Sequence, residues 1–128
     1  MLNTVHLIGY LGADPSRRET AAGPCVTLRL ATHRGWTGKD GARCEDTQWH
    51  SLLFWDRQAE LAGRLLHRGQ LVYAEGRLHH TSWPDREDCA KTHHRTEVLV
   101  RTFRVLSPYR GASGEAPVED PGAVESGR

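Results

Sequence analysis

The sequence predicts an all-β fold, a small and partly open barrel of five strands with one α-helix between the third and fourth strands. Three observations predict it. Apolar and polar residues alternate over most of the first 106 residues, as they do in half-buried strands. Apolar residues at helical spacing occur in one stretch only, residues 57–68. A long polar segment separates the last two strand-like runs, which predicts an extended hairpin between strands four and five.

Length, composition and charge predict one domain and a short tail. The 128 residues give room for a single domain. We expect it over 1–106, followed by a disordered tail over 107–128, where Gly, Pro, Ala, Ser and charges dominate. The domain carries 15 basic and 12 acidic residues, a net charge of +3, and the tail has a net charge of −2. This mild positive charge is weak support for phosphate binding. Arginine makes up 15 of the 17 cations, and arginine can also stack on bases.

Several classes of protein find no support in the sequence. No apolar run approaches the roughly 20 residues that span a membrane. The N-terminal segment MLNTVHLIGYLG lacks the basic region of a signal peptide, so we expect a cytoplasmic protein without a membrane partner. No Ser-His-Asp or paired-carboxylate arrangement, GxGxxG fingerprint or Walker A motif is present. We therefore expect neither an enzyme nor a cofactor.

The predicted elements follow in order. The first strand covers Val5–Leu11, and the turn residues Asp14-Pro15 follow it. A short extended run leads to the second strand, residues 25–32. Residues 33–46 hold three glycines and many charges, which predicts a loop. The third strand covers 47–55, and Asp56 is the predicted N-cap of the helix.

The helix is predicted over residues 57–68, with Gly69 as the C′ residue that follows its end. The fourth strand covers 71–83, with a bulge or bend at Gly76, and the fifth covers 96–106. A helix between strands three and four of a five-stranded barrel is typical of the OB-fold. In that fold, oligonucleotides lie on strands two and three and on the loops between strands 1–2 and 4–5.

All four tryptophans fall in or beside those elements. Trp49 and Trp55 lie on one face of the third strand, roughly 20 Å apart at about 3.3 Å per residue. Trp36 lies in the predicted loop before it, and Trp83 lies near the tip of the last hairpin. Indoles that stack on unpaired bases would explain this placement. The alternative is that the tryptophans pack between sheet and loops as part of the core.

Ten basic residues are predicted by position to contact phosphates, with ordinary solvated surface as the alternative for each. They are Arg17, Arg18, Arg34, Lys39, Arg43, Arg57, Arg77, Arg86, Lys91 and Arg95. Stacking on tryptophan with these contacts predicts sequence-tolerant, salt-dependent binding of a single strand.

The cysteines and the paired histidines suggest weaker possibilities. None of the three cysteines lies in a CxxC zinc pattern. Free thiols are one reading, and an intersubunit disulfide between Cys44 and Cys89, which fall in two polar loops, is the other. His79-His80 and His93-His94 flank the last hairpin and resemble metal ligands. We expect no metal there, because exposed histidine pairs are more often adventitious.

A series of short motifs follows a known family closely. They are Leu7-Ile8-Gly9, Leu11-Gly12, Asp14-Pro15, Leu30-Ala31-Thr32, Trp36, Thr47-x-Trp49-His50, Ala59-Glu60, Gly69, Val72-Tyr73, Glu75-Gly76, Leu78, Trp83 and Thr96-Glu97-Val98. In order and spacing they resemble the bacterial single-stranded DNA-binding proteins, SSB, over roughly residues 3–106. The resemblance implies an OB-fold, a homotetramer and base stacking on all four tryptophans, although the family often has Phe where this chain has Trp55. It also implies a place at the subunit interface for His50, for which a satisfied core histidine is the alternative.

The tail departs from the family. Its housekeeping members end in a long linker and an acidic tip, Asp-Asp-Asp-Ile-Pro-Phe, which recruits replication and repair enzymes. This chain ends in GAVESGR. We therefore expect an accessory SSB that protects single-stranded DNA in replication, recombination or repair without the tip-dependent partners. The alternatives are a primosomal-type accessory protein and an OB-fold interaction or enzyme module that binds no nucleic acid.

Overall fold

The computed structural model describes residues 1–107, in which strands dominate and one helix follows the fourth strand. The elements are β1 (Val5–Leu11), β2 (Ser16–Thr20), β3 (Gly23–Thr37), β4 (Arg43–Trp55), α1 (Asp56–Leu65), β5 (Leu71–Pro84) and β6 (Thr92–Val105). The all-β class and the position of the helix are confirmed. The described part has six strands where five were predicted, because the run over 16–20 pairs with the start of β3 as a strand of its own. The predicted tail lies, from residue 108 on, outside the described residues.

The strands form one sheet that closes on itself. Their order is β1–β5–β6–β4–β3–β2, and β1 also pairs with β3. That extra pairing joins Tyr10 to Ala31 and Leu11 to Leu30, which brings the two ends of a five-stranded ring together. The contact between β4 and β6 is parallel and short, whereas the other pairings are antiparallel. The ring is therefore a partly open barrel, with β2 outside it as an edge strand.

The core fills the inside of this ring, because alternate residues of each strand point inward. On the β3–β4 ladder Val26 lies opposite Phe54 and Leu28 opposite Leu52, and all four side chains are buried. The Phe54 ring meets Phe103 edge-to-face, with 5.6 Å between ring centroids. A close-packed inner layer of this kind leaves the opposite face of each strand free for other contacts.

The helix closes the core, although its ends differ from the prediction. It begins at Asp56, with Trp55 as an N-cap residue that makes no side-chain capping bond, and it ends at Leu65 with Leu66 as C-cap. The predicted N-cap Asp56 and C′ residue Gly69 are therefore wrong. Asp56 has a φ of 52°, because the chain turns from strand to helix with no residue between them. Gly69 has a φ of 87° in the turn that leads into β5.

Only part of the predicted apolar stripe of the helix is buried. Ala62 and Leu66 are fully buried together with Ala59, whereas Leu65 is 48% exposed. Leu65 is the last residue of the helix, and the C-cap residue Leu66, in extended backbone, is the one that enters the core. The helix therefore covers one end of the barrel through small side chains, which permit a close approach.

Two long hairpins extend the barrel, and one of them was predicted as a loop. Strands β3 and β4 pair without interruption as far as Thr37 and Arg43, so the expected loop over 33–46 is wrong. Only residues 38–42 form the turn, in which the Gly38 N–H donates to the Ala42 carbonyl at 2.7 Å. Both faces of this arm are largely exposed, so its sequence shows no apolar alternation. The hairpin of β5 and β6 was expected and is paired as far as Pro84 and Thr92.

The predicted irregularity at Gly76 is confirmed. The register of β5 and β6 shifts between Glu75 and Gly76, which leaves Arg101 as the extra residue of a bulge. A Cβ atom at Gly76 would overlap the Leu99 carbonyl oxygen. The close approach of the two backbones therefore requires glycine at this position.

Replacing Gly76 with Ala is expected to destabilise the fold by about 1–3 kcal/mol, since the strands must separate to admit a methyl group. Gly63→Ala is the matched control, because a Cβ there meets no atom within 4 Å and the residue lies in α1. The control should raise stability by up to about 1 kcal/mol. Urea denaturation followed by circular dichroism measures both, and equal effects of the two changes would contradict the close approach at Gly76.

One histidine lies at the edge of the core. His50 is half-buried on β4 opposite Leu30, and its Nε2 lies 2.9 Å from the Thr32 hydroxyl oxygen. Burial lowers the pKa of His50 below its ordinary value of 6.5, because the charged imidazolium loses hydration. The folded protein therefore favours neutral His50 at a pH where the unfolded chain already binds a proton.

This difference predicts a pH-dependent stability. As the pH falls below about 6.5, the unfolded chain takes up a proton at His50 that the folded protein resists, so the free energy of unfolding decreases. His50→Gln should lose this part of the decrease, because glutamine does not titrate. The measurement is the denaturant midpoint between pH 8 and pH 5 for both proteins. Parallel curves for the two proteins would show that His50 does not titrate differently on folding.

Candidate nucleic-acid interface

The β3–β4 ladder places two tryptophans on the face that turns away from the core. Trp49 lies opposite Ala31, and Trp55 lies opposite Cys25. Because side chains alternate between the faces of a strand and the two tryptophans are six residues apart on β4, both indoles lie on the same face, as the spacing predicted. Both are half-buried, so neither stands free in solvent.

Trp49 is held in place by two neighbours. A Cβ atom at Gly12 would lie 2.6 Å from Cζ3 of the Trp49 ring, so the ring packs directly on the backbone after β1. The guanidinium carbon of Arg29 lies 5.4 Å from the centroid of the indole, within the range of a cation–π contact. The Gly12 N–H in turn donates to the Arg29 carbonyl at 3.0 Å. The loop after β1 thus anchors both partners of the stack.

Trp36 lies on a strand and not in the predicted loop. It pairs with Cys44 near the end of the β3–β4 hairpin and is 39% exposed. Strand alternation puts it on the face opposite to that of Trp49. The Arg34 guanidinium carbon lies 4.4 Å from the centroid of its indole. The two indoles therefore lie on opposite faces of the β3–β4 ladder.

Trp83 lies in a cluster at the tip of the β5–β6 hairpin. Its ring stacks on that of His93 with 5.6 Å between centroids, and the Arg95 guanidinium carbon lies 5.1 Å from the indole. The His93 Nε2 lies 2.6 Å from Oδ1 of Asp85, and the other oxygen of Asp85 accepts two backbone N–H groups of the turn. The bond to His93, with those backbone bonds, lowers the pKa of Asp85. The carboxylate thus connects the turn to the aromatic stack.

All ten predicted phosphate contacts are exposed, and they lie on four parts of the fold: the two hairpins, the edge strand and the helix. Seven of them lie on the two hairpins. The β3–β4 hairpin carries Arg34, Lys39 and Arg43, and the β5–β6 hairpin carries Arg77, Arg86, Lys91 and Arg95. Arg17 and Arg18 lie on the edge strand β2, and Arg57 lies at the start of the helix. The structure therefore places most of the predicted positive charge on the same two hairpins as Trp36 and Trp83.

Three of these cations already have a carboxylate neighbour within the chain. Arg17 pairs with Glu19 at 2.7 Å, Arg43 with Glu45 at 4.0 Å and Arg95 with Glu97 at 3.8 Å. Such exposed pairs are weak and readily exchanged for other partners. Arg29, by contrast, was missed by the sequence analysis although it lies beside Trp49. Its position as the one charge within the apolar run VTLRLA was the available signal.

The other predicted site residues remain separate. Cys44 and Cys89 are free thiols on different hairpins. A disulfide that joins Cys44 of one subunit to Cys89 of another stays a prediction. The interface role of His50 likewise stays a prediction. Over residues 1–107, no three His, Cys, Asp or Glu side chains are grouped to hold a metal ion. No helix in this part of the chain has the length and apolar content to cross a membrane.

Comparison with known proteins gives a consistent match. Residues 2–106 match the model of the single-strand binding protein family. The chain is 39% identical over 114 residues to single-stranded DNA-binding protein 1 of Chlorobaculum tepidum. That alignment covers 88% of this chain and 70% of the Chlorobaculum protein. It is 34% identical over 120 residues to the single-stranded DNA-binding protein of Neisseria meningitidis serogroup A, covering 93% and 68% of the two chains.

Two solved structures share the fold and confirm the OB-fold prediction. The Plasmodium falciparum SSB complex with ssDNA aligns with a TM-score of 0.74 at 26% identity and covers 84% of this chain and 96% of that one. Wild-type single-stranded DNA binding protein from Thermus aquaticus aligns with a TM-score of 0.68 at 35% identity. That alignment covers 83% of this chain and 50% of the Thermus protein. Because the family match spans the whole barrel and both hairpins, this chain belongs to the single-strand binding protein family.

Proposed function

We propose that this chain binds single-stranded DNA without sequence preference and protects it in replication, recombination or repair. Membership of the single-strand binding protein family identifies the ligand. The structural observation that carries the proposal is that three tryptophans each lie against an arginine. Trp36 and Trp83 lie on the two hairpins, and Trp49 lies on a strand of the barrel. Stacked indoles accept any base, and arginines attract the backbone, so the arrangement favours tolerance of sequence.

The physical properties of such a site follow from its parts. Each base that stacks on an aromatic side chain contributes roughly 1–3 kcal/mol. Each phosphate that meets a cation releases counterions, so the affinity decreases as salt increases. In this chain the stacking contacts would come from Trp36, Trp49, Trp55 and Trp83. The phosphate contacts would come from exposed arginines. Several weak contacts of this kind together give tight binding that remains reversible by salt.

We assign this function to a homotetramer in the cytoplasm, and not to an enzyme. Family members are DNA-binding proteins, and none of the groups described above suggests a reacting centre. Self-association is supported by Ile8, which is 55% exposed on β1. Among the described residues β1 meets β3 only at Tyr10 and Leu11, so the segment that holds Ile8 has an open edge on that side. An apolar side chain on an open strand edge is a suitable contact for a second copy.

The accessory role stays a prediction. It depends on residues 108–128, which lie outside the described residues, and nothing in the barrel bears on it. The structure supports DNA binding by the domain alone, whichever partners the tail recruits. The primosomal-type alternative and the module that binds no nucleic acid have no specific observation in their favour.

Titration with poly(dT) tests the proposal directly. Tryptophan fluorescence should be quenched in a saturable way, because bases that stack on indoles quench their emission. Raising the salt concentration should weaken the binding, with a slope of about −0.7 in log–log form for each phosphate contacted. Duplex DNA of the same length is the control and should quench little. Unchanged fluorescence of the folded protein at saturating poly(dT) would eliminate the proposal.

A second test concerns the central tryptophan. Trp49→Ala should weaken binding of poly(dT) by about 1–3 kcal/mol, since one stacked base is lost. Trp49→Phe is the matched control and should retain most of the affinity, because phenylalanine keeps an aromatic face. Circular dichroism shows whether both variants fold. An equal loss of affinity in folded Ala and Phe variants would mean that Trp49 acts through packing on Gly12 and not through stacking.

A further inference from the structure

Arg29 differs from the other arginines that lie against a tryptophan. Arg34 and Arg95 belong to the hairpin arms, whereas Arg29 lies on the barrel part of β3, between the buried residues Leu28 and Leu30. It is exposed, on the face of the ladder that carries Trp49. A charged residue in the middle of an apolar strand gains nothing from the core, so its contact with the indole is the feature to explain.

The charge of Arg29 has no partner of opposite sign within residues 1–107. None of the ion pairs of that part of the chain includes it, although Arg17, Arg43, Arg95 and Arg101 each have a carboxylate neighbour. A guanidinium over an indole interacts with the ring through its charge, and its five N–H donors lie in the plane of the group. These donors therefore remain available to an anion beside the ring.

The backbone holds this stack in a defined place. The Arg29 carbonyl accepts the Gly12 N–H at 3.0 Å, and the Trp49 ring lies so close to Gly12 that a Cβ there would be 2.6 Å from it. Three strands of the barrel thus meet at one point, with β1 leading into Gly12, Arg29 on β3 and Trp49 on β4. An anion that binds to Arg29 here lies next to the indole face on which a base can stack.

We infer that Arg29 is a positioning residue for Trp49 and a phosphate contact for the nucleotide stacked on it. The stack sets the orientation of the indole through the flat face of the guanidinium, and the free N–H edge binds the phosphate. One side chain thus couples the stacking contact to the backbone contact. The inference rests on the proposed binding of single-stranded DNA and adds a residue to that site.

The test compares wild type with Arg29→Gln and Arg29→Lys, using an oligothymidylate of about 8 nucleotides, within the range that one OB barrel covers. Arg29→Gln should bind about tenfold more weakly, since it loses a charged hydrogen bond and the cation–π contact. The slope of log affinity against log salt should decrease by about 0.7, the value for one phosphate on a single strand. Arg29→Lys should keep the wild-type slope, because it keeps the charge, but should recover only part of the affinity.

Two controls separate this role from general effects. Arg64→Gln removes an exposed charge from the helix, which carries none of the three arginine–tryptophan pairs, and should change affinity by less than about threefold. In a Trp49→Ala background, Arg29→Gln should cost less affinity than in wild type, because the residue it positions is absent. Iodide quenching of the free protein should also increase in Arg29→Gln, as the indole loses its cover.

The outcomes are distinct. If wild type binds and Arg29→Gln behaves like Arg64→Gln in affinity and slope, the inference is wrong and the proposed function stands. Tighter binding by Arg29→Gln would also overturn it, because Arg29 would then compete with bases for the indole. If wild type itself does not bind the oligonucleotide, the proposed function fails and the inference with it. Should Arg29→Gln fold poorly by circular dichroism, folded Arg29→Lys decides: the wild-type slope with partly reduced affinity supports the inference, and wild-type affinity overturns the positioning role, because lysine lacks the flat guanidinium.

Discussion

Closure of the barrel at β1 is the contact on which the remaining structure depends. β1 pairs with β5 along its length and with β3 at Tyr10 and Leu11. Gly9 permits this double pairing, because a Cβ atom there would overlap the Ala31 carbonyl oxygen. The N–H of Leu11 donates to Gln70, and its carbonyl accepts the Gly69 N–H, so the turn before β5 is attached at the same place. A short segment of β1 therefore joins β3, β5 and the turn that precedes β5.

The same closure creates the central part of the candidate interface. Immediately after β1, Gly12 bonds to the backbone of Arg29 and supports the ring of Trp49. The centre of the site is thus built where β1 pairs with both β3 and β5. A stacking surface held in this way loses little conformational entropy on binding, which favours affinity.

The two hairpins make a different contribution. Trp36 and Trp83 lie on arms that extend beyond the core, where each pairs with an arginine of its own hairpin. The arms hold most of the predicted phosphate contacts and few buried side chains, so their stability comes from the strand ladder and from turns such as the one capped by Asp85. Elements with few buried apolar contacts open more readily than a core. The interface therefore combines a rigid centre with two less constrained arms, an arrangement suited to a flexible ligand.

The sequence by itself determined what depends on local pattern: the all-β class, the single helix after β4, the irregularity at Gly76 and the shared face of Trp49 and Trp55. Alternation and helical spacing are properties of neighbouring residues, so they can be read without a structure. The short motifs also identified the family, because their order is preserved along the chain. The arms of the β3–β4 hairpin were missed, since both of their faces are exposed and leave no apolar signal.

Only the tertiary structure decided which residues lie together. The register of β3 on β4 separates Trp36 from Trp49, and the closure of β1 brings Gly12 to Arg29. These contacts join residues far apart in sequence, and a change of register by one position would reverse the face of each side chain. Arg29 is the clearest example. Its charge is evident in the sequence, but its place against Trp49 follows from pairing between strands, which no local pattern contains.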